Sequence, residues 1–170
     1  MRRLATRGKH DRRLDVGTSK TFSVDLPASG KEVRVERKVE EKALAGHGKI
    51  LVMDDDEMIQ DITCAMLTKL GYEVEVAGNG KEAVDLFRNA REAQAPFDAV
   101  LMDLTIPGGM GGEEAIGHLK ALDQDVKAIV SSGYTDDPVM VNYRDYGFSG
   151  VVVKPYNFQK LSAVLQQVLG

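Results

Sequence analysis

Acidic, hydroxyl and ammonium side chains follow four separate apolar runs of this sequence. They are Asp54–Glu57 after ILVM, Asp103 after DAVLM, Ser131–Ser132 after VKAIV, and Lys154 after GVVV. Clustered carboxylates repel one another and need a cation to stay ionised together. Carboxylate oxygens with room for water suit Mg²⁺, and a carboxylate beside such an ion can act as a nucleophile on phosphorus. Together with an ammonium and a hydroxyl to neutralise the remaining oxygens, these residue types predict phosphoryl transfer.

The elements that must position these residues follow a regular pattern from residue 48 onward. Short apolar runs predict strands at 50–53, 72–77, 98–102, 126–130 and 150–153, and helical periodicity predicts a helix after each one. The helices are expected at 58–70, 79–93, 113–122, 138–146 and 157–169. Strands joined by helical crossovers lie parallel, so the pattern predicts an open, doubly wound α/β sheet. Such sheets bind ligands outside the carboxyl ends of their strands, which is where the reactive residues fall.

Local signals in the helices add detail to this pattern. In the first helix, spacing places Ile59, Ile62, Met66 and Leu70 on the buried face. Asn79 is expected to cap the second helix. In the fourth, Pro138 fits the first turn of a helix that we expect to continue to about residue 146.

Four blocks of this sequence, in order, resemble the receiver domain of two-component response regulators. The blocks are ILVMDDDE, VLMDLTIPGGMGG, AIVSSGY and VVVKPY, and the resemblance covers roughly residues 49–170. It implies a flavodoxin-like, five-stranded parallel sheet of order 2-1-3-4-5 with helices on both faces. It also implies a phosphorelay function, in which a partner phosphohistidine donates its phosphoryl group in the presence of Mg²⁺.

The resemblance assigns roles to four residues around the metal. Asp103 corresponds to the phosphorylated aspartate and also to a metal ligand. Asp54 and Asp55 correspond to the acidic pair that holds Mg²⁺, with Asp55 as the direct ligand and Asp54 acting largely through water. The backbone carbonyl of Thr105 is implied as a further ligand.

On the other side of the acceptor, Ser132 corresponds to the switch hydroxyl and Lys154 to the family's invariant lysine. A cis peptide bond is often found before the proline that follows, here Pro155. One departure concerns Val151, three residues before the lysine, because receivers usually carry Tyr or Phe there as a rotating aromatic. Signalling by an aromatic swing at this position is therefore not expected.

Two further features are similar to hybrid sensor kinases. The loop TIPGGMGG has one glycine more than the common receiver pattern, as in receivers attached to such kinases. Residues 16–29, VGTSKTFSVDLPAS, are similar to the end of a histidine-kinase ATPase domain, with one short strand expected at Thr21–Leu26. Otherwise residues 1–47 are expected to be a mostly disordered leader or linker, native or added by fusion, and residues 48–170 the receiver domain.

Composition limits the partners and the setting. Residues 1–46 carry 12 Lys/Arg against 7 Asp/Glu, and residues 47–170 carry 10 against 19. The acidic domain disfavours direct nucleic-acid binding, and no apolar run is long enough for a membrane span. One cysteine and no secretory signal favour the cytoplasm. The expected partner is a histidine kinase or a histidine phosphotransfer protein, and the expected state is a monomer or weak dimer.

Two other functions are alternatives to a receiver that phosphorylates and dephosphorylates itself. One is a phosphatase with Asp54 as an aspartyl nucleophile, although the domain leaves no room for the cap insertion of that class. The other is a degenerate receiver used only for binding, which the intact acids, hydroxyl and lysine disfavour. Neither a kinase catalytic core nor a P-loop is found in the sequence.

Overall fold

The structure, a computed structural model, describes residues 46–170, in which strands and helices alternate. The strands are β1 Lys49–Met53, β2 Glu73–Ala77, β3 Ala99–Asp103, β4 Ala128–Ser132 and β5 Gly150–Val153. The helices are α1 Glu57–Lys69, α2 Gly80–Glu92, α3 Gly112–Leu122, α4 Pro138–Val141 and α5 Phe158–Leu169. The strand predicted at Thr21–Leu26 and the kinase-like segment 16–29 lie outside the described residues, as does nearly all of the leader predicted for 1–47.

All five strands are parallel and lie in the order β2-β1-β3-β4-β5, which confirms the predicted doubly wound sheet. The register aligns the carboxyl ends of the strands. Met53 of β1 pairs with Met102 of β3, Asp103 pairs with Ser131 of β4, and Ser132 pairs with Val153 of β5. The residues that end these strands, or directly follow them, therefore share one edge of the sheet.

The sheet divides the core into two clusters, because β1, β3 and β4 are buried on both faces. The edge strand β2 leaves Glu73 and Val76 exposed. On one side, α2 and α3 pack against the sheet through residues such as Phe87 and Leu119. On the other side, α1 and α5 pack through Leu67, Leu161 and Leu165. Alternating strand residues serve opposite clusters, because successive side chains of a strand point to opposite faces. For β1, β3 and β4, this burial on both faces explains why the sequence shows continuous apolar runs.

The buried face of α1 differs from the prediction. Ile62 was expected to face the core, yet it is 47 % exposed, while Thr63 and Leu67 are fully buried. The buried face thus includes Thr63 and Leu67 in place of Ile62, while Leu70 is buried as predicted and Met66 packs partly buried against the same cluster. The reason is that the Thr63 hydroxyl has a partner in the interior, the hydroxyl of Tyr156 at 2.8 Å. After the helix, Gly71 adopts a φ of +97° and ends it, as expected.

The fourth helix is much shorter than predicted. It covers only Pro138–Val141, whereas the sequence pattern predicted a helix to about residue 146. Beyond it, the backbone bonds from Asp145 N to Asn142 O and from Gly147 N to Arg144 O span three residues, and the bond from Phe148 N to Tyr143 O spans five. These spacings belong to successive turns rather than to an α-helix, whose bonds span four. β4 also lies two residues later than predicted, so both serines belong to the strand.

Candidate functional site

Asp54 is the most enclosed of the predicted acidic residues of the site. It directly follows β1 and is only 3 % exposed. One carboxylate oxygen, Oδ1, accepts the backbone N–H of Asp56 at 3.1 Å, and the other, Oδ2, lies 2.5 Å from the ammonium of Lys154. Both oxygens therefore have a partner within the protein, as a buried carboxylate requires.

Lys154 joins two of the predicted acids. It directly follows β5, and its ammonium lies 2.5 Å from Asp54 and 3.0 Å from Oδ2 of Asp103. Burial alone lowers the pKa of Lys154, but hydrogen bonds and charge from Asp54 and Asp103 outweigh that effect and raise it. The ammonium is therefore held in its charged form at neutral pH. The peptide bond between Lys154 and Pro155 is cis, as predicted.

Asp103 is the last residue of β3, and 14 % of its side chain is exposed. Burial raises the pKa of its carboxyl group, and the negative charge of Asp54 adds to this. Lys154 and the backbone N–H of Thr105, 3.5 Å from Oδ1, act in the opposite direction without cancelling the rise. A partly enclosed carboxylate with a raised pKa is more basic than a surface aspartate and reaches solvent from one side.

Three carboxylates converge at this edge in a way that suits a divalent cation. One oxygen each from Asp54, Asp55 and Asp103 lies within 4.8 Å of the others. Asp55 is exposed, so its carboxylate has room for water as well as for an ion. An all-oxygen donor set that is open to solvent on one side matches the preference of Mg²⁺, which keeps part of its hydration. The residues present therefore fit the predicted ion.

The two serines at the end of β4 have different surroundings. The hydroxyl of Ser131 donates to the carbonyl of Met102 across the sheet, at 3.3 Å, which joins β4 to β3. The hydroxyl oxygen of Ser132 accepts the backbone N–H of Tyr134 at 3.1 Å and lies on the cleft. Because an accepting hydroxyl keeps its own proton, Ser132 can donate to a group in the cleft.

A cleft of about 330 Å³ contains all of the predicted site residues. It is lined by Asp54, Asp55, Asp56, Ile59, Asp103, Thr105, Pro107, Ser132, Gly133, Tyr134 and Lys154. A larger cavity of about 560 Å³ lies at the opposite edge of the sheet, beside Tyr72 and Phe97, and none of the predicted site residues line it. Chemistry and position both favour the smaller cleft, because it lies at the carboxyl ends of the strands.

The residues that support the site were not predicted from the sequence. The side-chain amide of Gln60 donates to the carbonyl of Asp54 at 2.6 Å and reaches that of Ala77 at 3.5 Å. The hydroxyl of Tyr156 lies 2.8 Å from that of Thr63. Burial raises the pKa of the Tyr156 phenol, while its bond to Thr63 and the Lys154 charge lower it. The one sequence feature that could have pointed to Tyr156 as a supporting residue is its position two residues after Lys154.

Several known signalling proteins are similar to this chain in sequence. It is 27 % identical to the sensor kinase CckA of Brucella abortus, over 91 % of this chain and 17 % of that protein. It is 30 % identical to the chemotaxis protein CheY of Thermotoga maritima, over 71 % of this chain and 96 % of that protein. Sporulation initiation phosphotransferase F of Bacillus subtilis is 27 % identical over 71 % of this chain and 93 % of its own length.

One similar solved structure contains a metal ion. The receiver domain of a sensor histidine kinase from Pseudomonas aeruginosa, crystallised with a magnesium ion coordinated in its active-site cleft, superposes with a TM-score of 0.64. The match is 27 % identical and covers 74 % of this chain and 99 % of that one. Within this chain, residues 50–166 match the response regulator receiver domain. The chain therefore belongs to the response regulator receiver domain family and is a phosphoacceptor domain of two-component signalling.

Proposed function

We propose that Asp103 is the residue that accepts the phosphoryl group. The observation that carries this proposal is the position of the Lys154 ammonium, 3.0 Å from Asp103 and 2.5 Å from Asp54, in a cleft with three converging carboxylates. Asp103 alone among the three combines partial exposure with a place at the centre of the sheet edge. Asp54 is almost fully buried, and Asp55 is exposed and lacks a contact with the lysine.

The chemistry assigned to this site is transfer from a phosphohistidine. A carboxylate oxygen of Asp103 forms the new bond to phosphorus, the P–N bond to the donor imidazole breaks, and the imidazole keeps the electron pair. Lys154 neutralises one oxygen of the transferred group as a point charge, and Ser132 donates a hydrogen bond to another. This division of roles needs positioning and charge neutralisation but no further base.

We infer that Mg²⁺ is the resident cation of the carboxylate cluster, where it would neutralise charge on the acids and the phosphoryl oxygens. Asp55 is the better direct ligand, because its carboxylate is exposed and makes no contact with Lys154. Asp54 already accepts from Asp56 N–H and from Lys154, which favours contact through water. The carbonyl of Thr105, a residue that lines the cleft, is assigned as a further ligand.

The alternative of a phosphatase with Asp54 as nucleophile is not favoured by the geometry. A nucleophilic carboxylate must present an oxygen to phosphorus, and Asp54 is 3 % exposed with a partner on each oxygen. A degenerate receiver is disfavoured as well, because the acids, the hydroxyl and the ammonium all line one cleft. The domain acts on itself rather than as an enzyme with turnover.

We further propose that the partner is a histidine kinase or histidine phosphotransfer protein and that this receiver belongs to a hybrid sensor kinase. The similarity to the sensor kinase covers 91 % of this chain, so it must extend upstream of residue 48, where the leader and the kinase-like segment 16–29 were predicted. The first 47 residues are then a linker from a kinase core, and the receiver begins at residue 48.

The setting is inferred from the same features. In the described part of the chain, no helix is long and apolar enough to cross a bilayer. Burial and the charge of Asp61 raise the pKa of the Cys64 thiol, which makes it a poor nucleophile. We propose a cytoplasmic domain that contacts neither membrane nor nucleic acid and is a monomer or weak dimer.

The phosphorylated form is proposed to be read by a protein on the side of β4 and β5. Tyr134 and Val141 are 76 % and 63 % exposed there. Val151, in place of the usual aromatic, is half-buried against the core. A route other than an aromatic rotating at residue 151 must then carry the signal.

The decisive experiment combines Mg²⁺ with beryllofluoride, a phosphoryl mimic, and with acetyl phosphate. We expect amide shifts at Asp103, Ser132 and Lys154 with the first and a mass increase of one phosphoryl group with the second. Asp103→Asn should lose both responses. The matched control is Asp125→Asn, an exposed carboxylate before β4 at the opposite edge of the sheet, which should keep both. Retention of both responses by Asp103→Asn would refute the assignment.

A further inference from the structure

A partly buried pair of hydroxyls links α1 to the segment that carries Lys154. Thr63 lies on the sheet-facing side of α1 and is fully buried, and its Oγ1 is 2.8 Å from the phenol oxygen of Tyr156. A threonine at such a position is costly unless its hydroxyl is paired. The two residues are 93 positions apart in sequence, so this contact exists only in the folded domain.

Tyr156 is close enough in the chain to fix Lys154. The backbone N–H of Lys154 donates to the carbonyl of Ser132 at 2.8 Å, which holds the start of this segment on the sheet. Two residues later the ring of Tyr156 packs against the α1–α5 side of the core, and Asn157 then caps α5. The segment is therefore held at both ends, and the Thr63 contact is its polar link to α1.

The same helix also holds the partner of the lysine. One turn before Thr63, the Gln60 amide donates to the backbone carbonyl of Asp54 at 2.6 Å. α1 thus contacts the backbone of Asp54 through Gln60, and it contacts the segment that carries Lys154 through the bond between Thr63 and Tyr156. A common support of this kind sets where the ammonium lies relative to the carboxylates. Small displacements of the neutralising groups reduce the rate of such reactions, because these groups must be held in place before the reaction begins.

We propose that Thr63 and Tyr156 are positioning residues, whose shared hydrogen bond places the Lys154 ammonium for the phosphoryl group and links α1 to the occupancy of Asp103. The inference rests on the proposed function. It supplies a route for the signal that does not require an aromatic at residue 151. When the ammonium moves toward a bound phosphoryl oxygen, Tyr156 two residues along the chain connects that movement to α1 through its bond with Thr63.

The test uses substitutions that separate the hydrogen bond from the fold. Thr63→Val and Tyr156→Phe each remove one hydroxyl and leave the other buried without its partner, which lowers stability. The double variant removes both hydroxyls, and replacing both partners by apolar groups of the same shape is nearly neutral for stability. Thr63→Ser retains the hydroxyl. Tyr72→Phe, at the opposite edge of the sheet, is the control for loss of a phenol.

The measurements are the affinity for beryllofluoride with Mg²⁺, by calorimetry, and the midpoint of thermal unfolding. We expect the double variant to unfold near the wild-type temperature but to bind beryllofluoride about threefold to tenfold more weakly, the range for loss of one hydrogen bond. Thr63→Ser and Tyr72→Phe should bind like the wild type. Amide shifts in α1 on beryllofluoride addition should shrink in the double variant.

If the double variant binds beryllofluoride as tightly as the wild type, the positioning role is wrong. It is also wrong if the affinity for beryllofluoride falls only in the variants that are less stable. Either result leaves the proposed function intact, because the wild-type domain still binds the mimic. Failure of the wild-type domain itself to bind beryllofluoride with Mg²⁺ would be a different result, since it overturns the proposed function and the positioning role together.

Discussion

The ammonium of Lys154 lies 3.0 Å from the carboxylate of Asp103, and the same ammonium bonds Asp54. One cation thus balances two enclosed acids.

Lys154→Met keeps most of the side-chain stem but removes the positive charge, so neither carboxylate keeps its cationic partner. We expect affinity for beryllofluoride with Mg²⁺ to fall by at least about tenfold, as for truncation of one partner in a buried charge pair. Lys127→Met, an exposed lysine before β4, should bind normally; equal losses in the two variants would show that the charge acts only at long range.

The pKa of Asp103 gives a stability prediction with a definite sign. Because its folded pKa is raised, ionisation of Asp103 costs stability in the metal-free domain as pH rises through that pKa. Asp103→Asn should therefore be more stable than the wild type at neutral pH in EDTA. The difference should shrink as the pH is lowered below the folded pKa, where the wild-type carboxyl is protonated. Thermal unfolding at several pH values measures this, with Asp125→Asn as control. A pH-independent difference would contradict the assigned cause.

Two adjacent aspartates offer a matched test of the metal site. A ligand at about 100 times its Kd stabilises a folded protein by about 2.7 kcal/mol, and we expect Mg²⁺ to do so for the wild type. Asp55→Asn should lose most of this gain. Asp56→Asn should keep it, because Asp56 caps α1 through the N–H groups of Met58 and Ile59, and asparagine caps equally well. Equal gains in the two variants would exclude Asp55 as a ligand.

Two helical glycines should respond to alanine in opposite directions. A Cβ on Gly80, in the first turn of α2, would lie 2.8 Å from the carbonyl oxygen of Met110 and 2.8 Å from the Cβ of Ala115. Gly80→Ala should therefore destabilise the domain by about 1–3 kcal/mol, because backbone must move. Gly117→Ala, where nothing lies within 4 Å, should stabilise α3 by up to about 1 kcal/mol. Chemical denaturation provides both values, and a stable Gly80→Ala variant would mean that the contact of α2 with α3 is loose.

The sequence alone determined the sheet and the edge at which the site lies. Runs such as ILVM and GVVV are apolar on both faces, which requires a parallel sheet covered on two sides. Parallel strands end at one edge, so residues that follow different runs must meet, as Asp54 and Lys154 do across 100 positions. Those two conclusions need only local pattern and the geometry of parallel strands.

Only the tertiary structure decided which side chains hold the site together. Hydrophobic periodicity favoured Ile62 over Thr63 for the buried face of α1, because a threonine is expected at the surface unless a partner for its hydroxyl is known. That partner, Tyr156, lies at a distance in sequence that no local pattern encodes. The same holds for Asp54, whose two oxygens are occupied by Asp56 and Lys154. Burial of a polar group depends on whether another group satisfies it, and that is a property of the fold rather than of the residue.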